Sequence, residues 1–532
     1  MSYNYKYFLA LVVQQQAALP WLLAAIAFLF IINQRRPRKG KTPPGPKPWP
    51  IIGNLNLLGS IPHQSLDSLS QKYGELMLIN FGSTPVLVAS SPKTAKLVLK
   101  THDVVFASRR TSAAAARLFD GAELFWSSYG PWLRQGRRIL FSELIAPPKL
   151  DSLEHVRVEE RMALMSRLYA AAVASTPVLL RDHLSKLTYS ISGRLLSDHK
   201  KSFKTGDERE LRTRPIDMKR LNELVDEWFR LDALAINLGD WVPWLRRFDL
   251  QGYEKRVKAF SEEYEQFLDP VIEEHRAMMK AAGEDFVPNG LIDGLLQRAD
   301  GPNVVESEVA LTRHRIMALI HDVVAGGTDT STGLVEWAFH EMVRKPNIME
   351  KATEELDRVI GRERWVEEND ISHLPYIDSI IKETFRLHPL GTLLPHYSME
   401  DCNLDGYEVT KGTLVVVNVW SIGRNPKYWE RAGQFLPERF LGSDIDIKGK
   451  DFSLLPFGSG RRMCPGYNLG LKVVQATLAN LLHGFSWKLP GDMKPGDVSM
   501  EEAYGLSTHP KFPLSYLIEP RLPTHLYQVF VL

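Results

Sequence analysis

Cysteine is almost absent. Cys402 and Cys464 are the only two among 532 residues, too few for a disulfide framework and in keeping with a reducing compartment. Charge of one sign is not in surplus either. The 65 Lys and Arg stand against 63 Asp and Glu, so no broad positive face can gather a phosphate backbone, and nucleic acid is not an expected partner. Several catalytic patterns are missing too. His340-Glu341 is followed by Met342, Val343 and Arg344, which removes an H-E-x-x-H zinc site, and no G-x-S-x-G elbow occurs. No flavin or dinucleotide fingerprint, phosphate loop or internal repeat is present.

Long apolar stretches mark the N-terminus. Ala17 to Ile32 carries no charge, Tyr7 to Val13 is nearly as apolar, and Gln14, Gln15 and Gln16 lie between them. Together they reach the roughly 20 residues that span a bilayer. Arg35, Arg36, Arg38, Lys39 and Lys41 follow, with only Lys6 ahead, an asymmetry that places the body on the cytoplasmic side. A cleaved signal peptide would carry its charge before the apolar stretch and a small-residue cleavage site after it; interfacial binding is the other alternative. In Thr42 to Pro50 (TPPGPKPWP) repeated prolines fix φ and remove donors, which gives a stiff extended spacer. The expected organisation is a transmembrane anchor over 1–34, a basic and proline-rich hinge over 35–50 and one catalytic body over 51–532.

Within the body, Glu75 to Ser90 reads as two apolar strands joined by a turn at Gly82, Ser83 and Thr84. Helical periodicity dominates: Pro92 to Lys100, Ser152 to Ala174, Leu221 to Phe229, Tyr253 to Ala281, Glu308 to Val343, Met349 to Ile360 and Tyr376 to His388. Extended runs return near Thr413 to Val419 and Phe512 to Ile518, and the charged stretch His199 to Pro215 is the best surface loop. The fold class is therefore mainly α with small β-sheets.

The most specific passage is Phe457 to Gly466, FGSGRRMCPG, a glycine-rich loop leading into the helical pattern Tyr467 to Leu482. Cys464 falls just before that helix, where unpaired amides and the helix dipole favour a thiolate. The glycines let the backbone pass close to a flat ligand, Arg461 and Arg462 can neutralise carboxylates, and Pro465 suits a helix start. A buried structural cysteine is the plain alternative. This passage resembles, from its phenylalanine through Cys464 to its last glycine, the haem-binding signature of cytochromes P-450, and further motifs follow that family's order along the chain. The resemblance implies the cytochrome P-450 fold behind the anchor, haem b with iron held by Cys464, and Phe457, Gly458, Gly460, Arg462 and Gly466 around it.

Gly326 to Ser331, GGTDTS, resembles the family's oxygen-activating segment, with Thr330 bonding oxygen and Asp329 linked to a solvent proton source. Two glycines inside a helical pattern suggest close approach of something bulky or a distorted turn. The plain alternative is a threonine bonded to a preceding carbonyl and an aspartate facing water. Glu383 and Arg386, three apart in KETFR, together with Arg439 in FLPERF, resemble the family's buried structural triad. His396 stands where the family places a basic residue for a haem propionate, or is simply a satisfied loop histidine. Tyr129 to Arg138, YGPWLRQGRR, resembles the helix in which a Trp and an Arg four apart contact a propionate; Arg137 fits, Leu133 replaces the Trp, and Trp132 points elsewhere. Arg134, Arg137, Arg138, Arg461 and Arg462 together suit an acidic electron-transfer partner, or are solvated charges.

The resemblance implies a monooxygenase that inserts one atom of O2 into a small hydrophobic plant specialised metabolite, a phenylpropanoid, flavonoid or terpenoid. Its electrons would come from NADPH through a separate NADPH-cytochrome P-450 reductase, at the endoplasmic reticulum membrane. The motifs look most like plant A-type microsomal enzymes, nearest the family numbered ninety-two. Oxidative C–C cleavage of a terpene alcohol is an alternative, and a redox-free isomerase or dehydratase another; Thr330 argues against the latter. Substrate contacts are expected from Ser108 to Phe125, Asp226 to Leu238, the helix before Gly326, Gly391 to Leu394 and Leu506 to His509, with His321 and Asp322 as polar candidates.

Overall fold

A computed structural model describes residues 41–197, 216–232, 237–300 and 309–528. The apolar segment before Lys41 and the charged stretch His199 to Pro215 lie outside the described residues. Among the described residues no helix is long and apolar enough to cross a membrane.

The expected hairpin forms from β1 (Leu76–Phe81) and β2 (Thr84–Ala89), antiparallel with Leu76 opposite Ala89. It continues into a four-stranded sheet with β3 (Leu393–Tyr397) and β4 (Leu414–Asn418), in the order β1-β2-β4-β3, where only the β2/β4 pair is parallel. Alternation with period 2 sends Leu87, Ala89, Val415 and Val417 into one core and Val86, Val88, Leu414 and Val416 into another. Both faces are covered, which is why β4 reads as an unbroken apolar run. The proline-rich stretch lies against this sheet: the Leu78 amide donates to the Pro44 carbonyl, and a Cβ on Gly45 would collide with the Leu78 backbone.

Helices build the larger core. Those that position the site are α1 (Pro131–Leu140), α2 (Leu180–Leu196), α3 (Met218–Leu231), α4 (Arg313–Gly327), α5 (Asp329–Arg344), α6 (Pro375–Leu387) and α7 (Tyr467–Gly484). In α1 Pro131 opens the first turn, and Leu133, Gly136, Ile139 and Leu140 form the buried stripe. The single helix expected over Glu308 to Val343 is divided at Thr328, whose hydroxyl donates to the Val324 carbonyl at 2.8 Å. Gly326 and Gly327 weaken the same turn. Helix α7, buried almost throughout from Leu471 to Gly484, runs through the centre. The run expected over Phe512 to Ile518 is a strand at Ser515–Pro520, between Val178–Leu179 and Phe485–Lys488.

Candidate functional site

The loop from Phe457 folds back on itself before α7. Its two special positions are Gly458 (φ +68°) and Gly460 (φ +69°), in the left-handed region that glycine alone adopts freely. A Cβ on Gly460 would stand 2.4 Å from the Leu99 carbonyl oxygen. The Cys464 amide then donates to the Phe457 carbonyl at 2.9 Å, so the cysteine is held by the residue that opens the loop. Burial pushes the Cys464 thiol up, opposed by a backbone hydrogen bond from Gly466 and by the charges of Arg137 and Arg109. The helix-end lowering expected from sequence is thus outweighed by burial in the thiol form, and a bound metal ion would favour the thiolate.

Three guanidiniums converge beside this loop. Arg462 donates from Nε to the Ala107 carbonyl, from Nη1 to Leu124 and from Nη2 to Ser127. Arg137 donates to the Met463 carbonyl at 2.8 Å. Arg109, absent from the sequence reading, donates to Pro395 and Phe125 carbonyls at 3.1 and 2.7 Å. Burial, together with their mutual repulsion, holds Arg109 well below the usual arginine range and Arg462 at about 10. Among the described residues none of the three forms an ion pair. Buried cations supported only by carbonyls are the donor set of an anion site. His396 lies in the same environment, its Nδ1 donating to the Phe106 carbonyl at 2.8 Å, and burial followed by Arg109 depresses it to about 3. An anion beside Nε2 would favour the imidazolium. At the end of α4 a Cβ built on Gly326 would meet nothing within 4 Å beyond its own turn, so that turn faces open space. The Cys464 thiol and the buried cations beside its loop fit the sulfur ligand and the two carboxylates of a haem.

The basic surface expected for an acidic partner is smaller than the sequence suggests, because Arg137 and Arg462 turn inward. Arg461 pairs with Asp103 at 3.1 Å. Trp132 spends its indole N–H on the Ala122 carbonyl at 2.7 Å, and Leu133 is buried in the Trp position.

Glu383, Arg386 and Arg439 come together in the interior. Glu383 receives Arg386 Nε at 2.7 Å and Nη2 at 2.8 Å, Arg439 Nε at 3.1 Å and the Leu436 amide at 2.7 Å, with Glu383 fully buried. Arg386 also donates to the carbonyls of Gly423, Ala432 and Gln434, which ties α6 to the segment leading toward the cysteine loop.

At the α4/α5 junction Thr330 Oγ1 donates to the Gly326 carbonyl at 2.9 Å, the plain alternative considered from sequence. Asp329 is bonded to protein while partly exposed: its Oδ2 accepts from Ser507 Oγ and from His509 Nε2 at 2.7 Å. His321 and Asp322 also face protein. His321 Nδ1 lies 2.9 Å from the Tyr264 hydroxyl, and Asp322 accepts the Leu124 amide at 2.9 Å. Buried Glu123 and Asp232 form an acidic cluster with the half-buried Asp322, and Glu123 Oε1 has no hydrogen-bond partner. Burial pushes Asp322 up to about 7, Asp232 to about 8 and Glu123 well above the carboxylate range. These acids keep protons in the fold that the unfolded chain releases near pH 4, so stability falls as pH rises through 7 to 8. Glu123→Gln is expected to raise stability at pH 9 by ~1–3 kcal/mol and to change it little at pH 5; urea unfolding at both values checks this.

A family model described as Cytochrome P-450 matches residues 43–514. Trimethyltridecatetraene synthase of Zea mays is 41% identical, covering 96% of this chain and 94% of that enzyme. A flavonoid 3′,5′-hydroxylase of Crocosmia x crocosmiiflora is 36% identical, covering 95% and 97%. A zebra fish cytochrome P-450 structure with abiraterone superimposes with a TM-score of 0.68 at 24% identity, over 87% of this chain and 100% of that one.

Proposed function

This chain belongs to the cytochrome P-450 family, and from that premise we propose that Cys464 is the thiolate ligand of its haem and that the enzyme oxidises a terpenoid or phenylpropanoid of plant specialised metabolism. As a family member it is a haem-thiolate monooxygenase, an oxidoreductase that takes electrons from a redox partner and acts on small hydrophobic molecules. When bound, haem supplies the activation of dioxygen.

The observation that carries the reading is the convergence of Arg109, Arg137 and Arg462 on the Cys464 loop without a carboxylate partner. Those guanidiniums and His396 would hold the two propionates of a bound haem. Thr330 presents a hydroxyl at the turn that Gly326 leaves open, and Asp329, one residue earlier, supplies or accepts the proton that this hydroxyl passes on. Thr330→Ala is expected to leave NADPH consumption largely intact while product per NADPH falls at least about tenfold and hydrogen peroxide rises. Stoichiometry of NADPH, peroxide and product checks it.

Electrons are proposed to come from NADPH-cytochrome P-450 reductase at the endoplasmic reticulum, with 1–34 as the anchor, 35–50 as the hinge and 51–532 as the cytoplasmic catalytic body. Exposed Trp49, Trp244, Phe248 and Leu250 support membrane association. Trp241, Val242 and Leu245 pack in the same core as Ile51 and Leu55, so these apolar side chains lie toward the end of the body where the anchor joins.

Oxygen insertion into an intact skeleton is the first reading, in line with the flavonoid hydroxylase relative. Oxidative C–C cleavage of a terpene alcohol is the second, favoured by the Zea mays relative, whose name denotes a polyene hydrocarbon. Turnover with reductase and NADPH on flavonoids, other phenolics and terpene alcohols tests both. A hydroxylated product supports the first and a shortened polyene the second. Conversion without NADPH, or no oxygen-dependent product from either class, contradicts the proposal.

A further inference from the structure

His509 sits in the short strand His509–Pro510, opposite Ala503, and reaches α5. The helix is shaped to receive it. A Cβ on Gly333 would stand 2.4 Å from His509 Nδ1 and 2.5 Å from Cε1, so no other residue at 333 leaves the ring where it is. A glycine inside a helix costs about 1 kcal/mol relative to alanine, and here that cost admits an imidazole to the helix face. From this seat Nε2 lies 2.7 Å from Asp329 Oδ2 and 2.7 Å from Ser507 Oγ, while Ser507 also donates to Asp329 Oδ2. Among the described residues, both contacts to the Asp329 carboxylate fall on the same oxygen.

We infer that His509, seated on Gly333, is a positioning residue for Asp329: with Ser507 it anchors Oδ2 and leaves the other oxygen to exchange a proton with the Thr330 turn. This rests on the proposed proton-relay role of Asp329 and adds to it the group that fixes the carboxylate's orientation and charge. His509 was expected to line the substrate space, but its ring is turned to the oxygen segment.

Other charged and titratable groups face the pair from three elements. Arg181 on α2 bonds Glu336 Oε2 at 2.8 Å and the Pro510 carbonyl at 2.6 Å, Glu336 belongs to α5, and Asp226 approaches from α3. Burial of His509 favours the neutral ring, but the charge and hydrogen bond of Asp329 outweigh it and the imidazole is raised above its ordinary value. Burial likewise opposes ionisation of Asp329, and His509 and Ser507 more than reverse it. Asp226 is raised to about 6 by burial and by the Asp329 charge, in keeping with a carboxylate held ionised nearby. Each group thus favours the charged form of the other. As pH rises through the His509 value the ring loses its charge and its hold on Oδ2 weakens.

The test compares His509→Ala, His509→Gln and Asp329→Asn in the haem-loaded full chain. The first readout is independent of turnover: NMR titration of the His509 ring in the reduced carbon monoxide complex, where a value above the ordinary ~6.5 is expected, falling in Asp329→Asn. The second is product per NADPH against pH. His509→Ala is expected to lower it at least about fivefold with substrate KM changed less than about twofold, a split that a loss of transition-state interactions gives and a loss of substrate binding does not. His509→Gln keeps an N–H donor without the charge, and should recover most of the coupling while losing the decline above the His509 value. An ordinary His509 titration, or full coupling in His509→Ala, overturns the inference. Full coupling in Asp329→Asn overturns the relay reading itself, so the two failures are told apart.

Discussion

Replacing Cys464 by serine is expected to abolish monooxygenation while leaving the fold in place. Serine preserves the hydrogen bond from the residue 464 amide to Phe457 and nearly the same volume, so the loop and the start of α7 persist. Its hydroxyl does not ionise at neutral pH, however, and gives the iron no electron-rich sulfur. Cys402 cannot substitute. It lies in the strand Cys402–Leu404, and burial with the neighbouring charges of Glu400 and Asp401 pushes its thiol up, surroundings that oppose a thiolate. Haem retention would fall with loss of the sulfur ligand, although Arg109, Arg137 and Arg462 would still offer their charges to the propionates. Product formation below detection, with unchanged circular dichroism, is the expected result. Turnover within about tenfold of the parent would remove Cys464 from its assigned role.

Glu383→Ala is expected to be as damaging, for a structural reason. The carboxylate answers two arginines and one backbone amide at once from a fully buried position. Removing it strands the Arg386 charge in the interior, a loss of about 3–5 kcal/mol for a broken buried pair, against total stabilities of about 5–15 kcal/mol. Arg386 also organises the carbonyls of Gly423, Ala432 and Gln434, so its displacement frees the segment that leads to the cysteine loop. The expected outcome is little soluble haem-containing protein and a much lower urea midpoint. Glu383→Gln keeps an acceptor for the Leu436 amide and should fall between. An unfolding free energy within about 1 kcal/mol of the parent for Glu383→Ala would show that the triad does not hold this region.

The β1–β2 hairpin was legible because alternation and turn chemistry agree, and the cysteine loop because glycine, arginine and cysteine are adjacent in the chain. Other parts are legible only in three dimensions. Arg109 bonds carbonyls at Phe125 and Pro395, and nothing in its local sequence distinguishes it from a solvated arginine. His509 and Asp329 are brought together by a strand and a helix far apart in sequence. The available clue was Gly333, a second unexplained glycine position in a helix already marked by Gly326 and Gly327. Helix α2 escaped the sequence reading although Leu180, Leu184, Leu187, Ile191 and Leu195 follow helical spacing. Its start has no side-chain cap, and Ser185, Thr188, Ser190 and Ser192 dilute the apolar pattern. The inward turn of Arg137 and Arg462 was hidden for the opposite reason, because runs of arginine usually signal a wet surface.

The absorption spectrum of the reduced protein under carbon monoxide bears most directly on the thiolate assignment. A strongly red-shifted Soret band in the parent chain, absent in Cys464→Ser, is the expected result, since an anionic sulfur ligand would donate electron density to a bound haem iron. An unshifted band in the parent, as a neutral axial ligand gives, would contradict it.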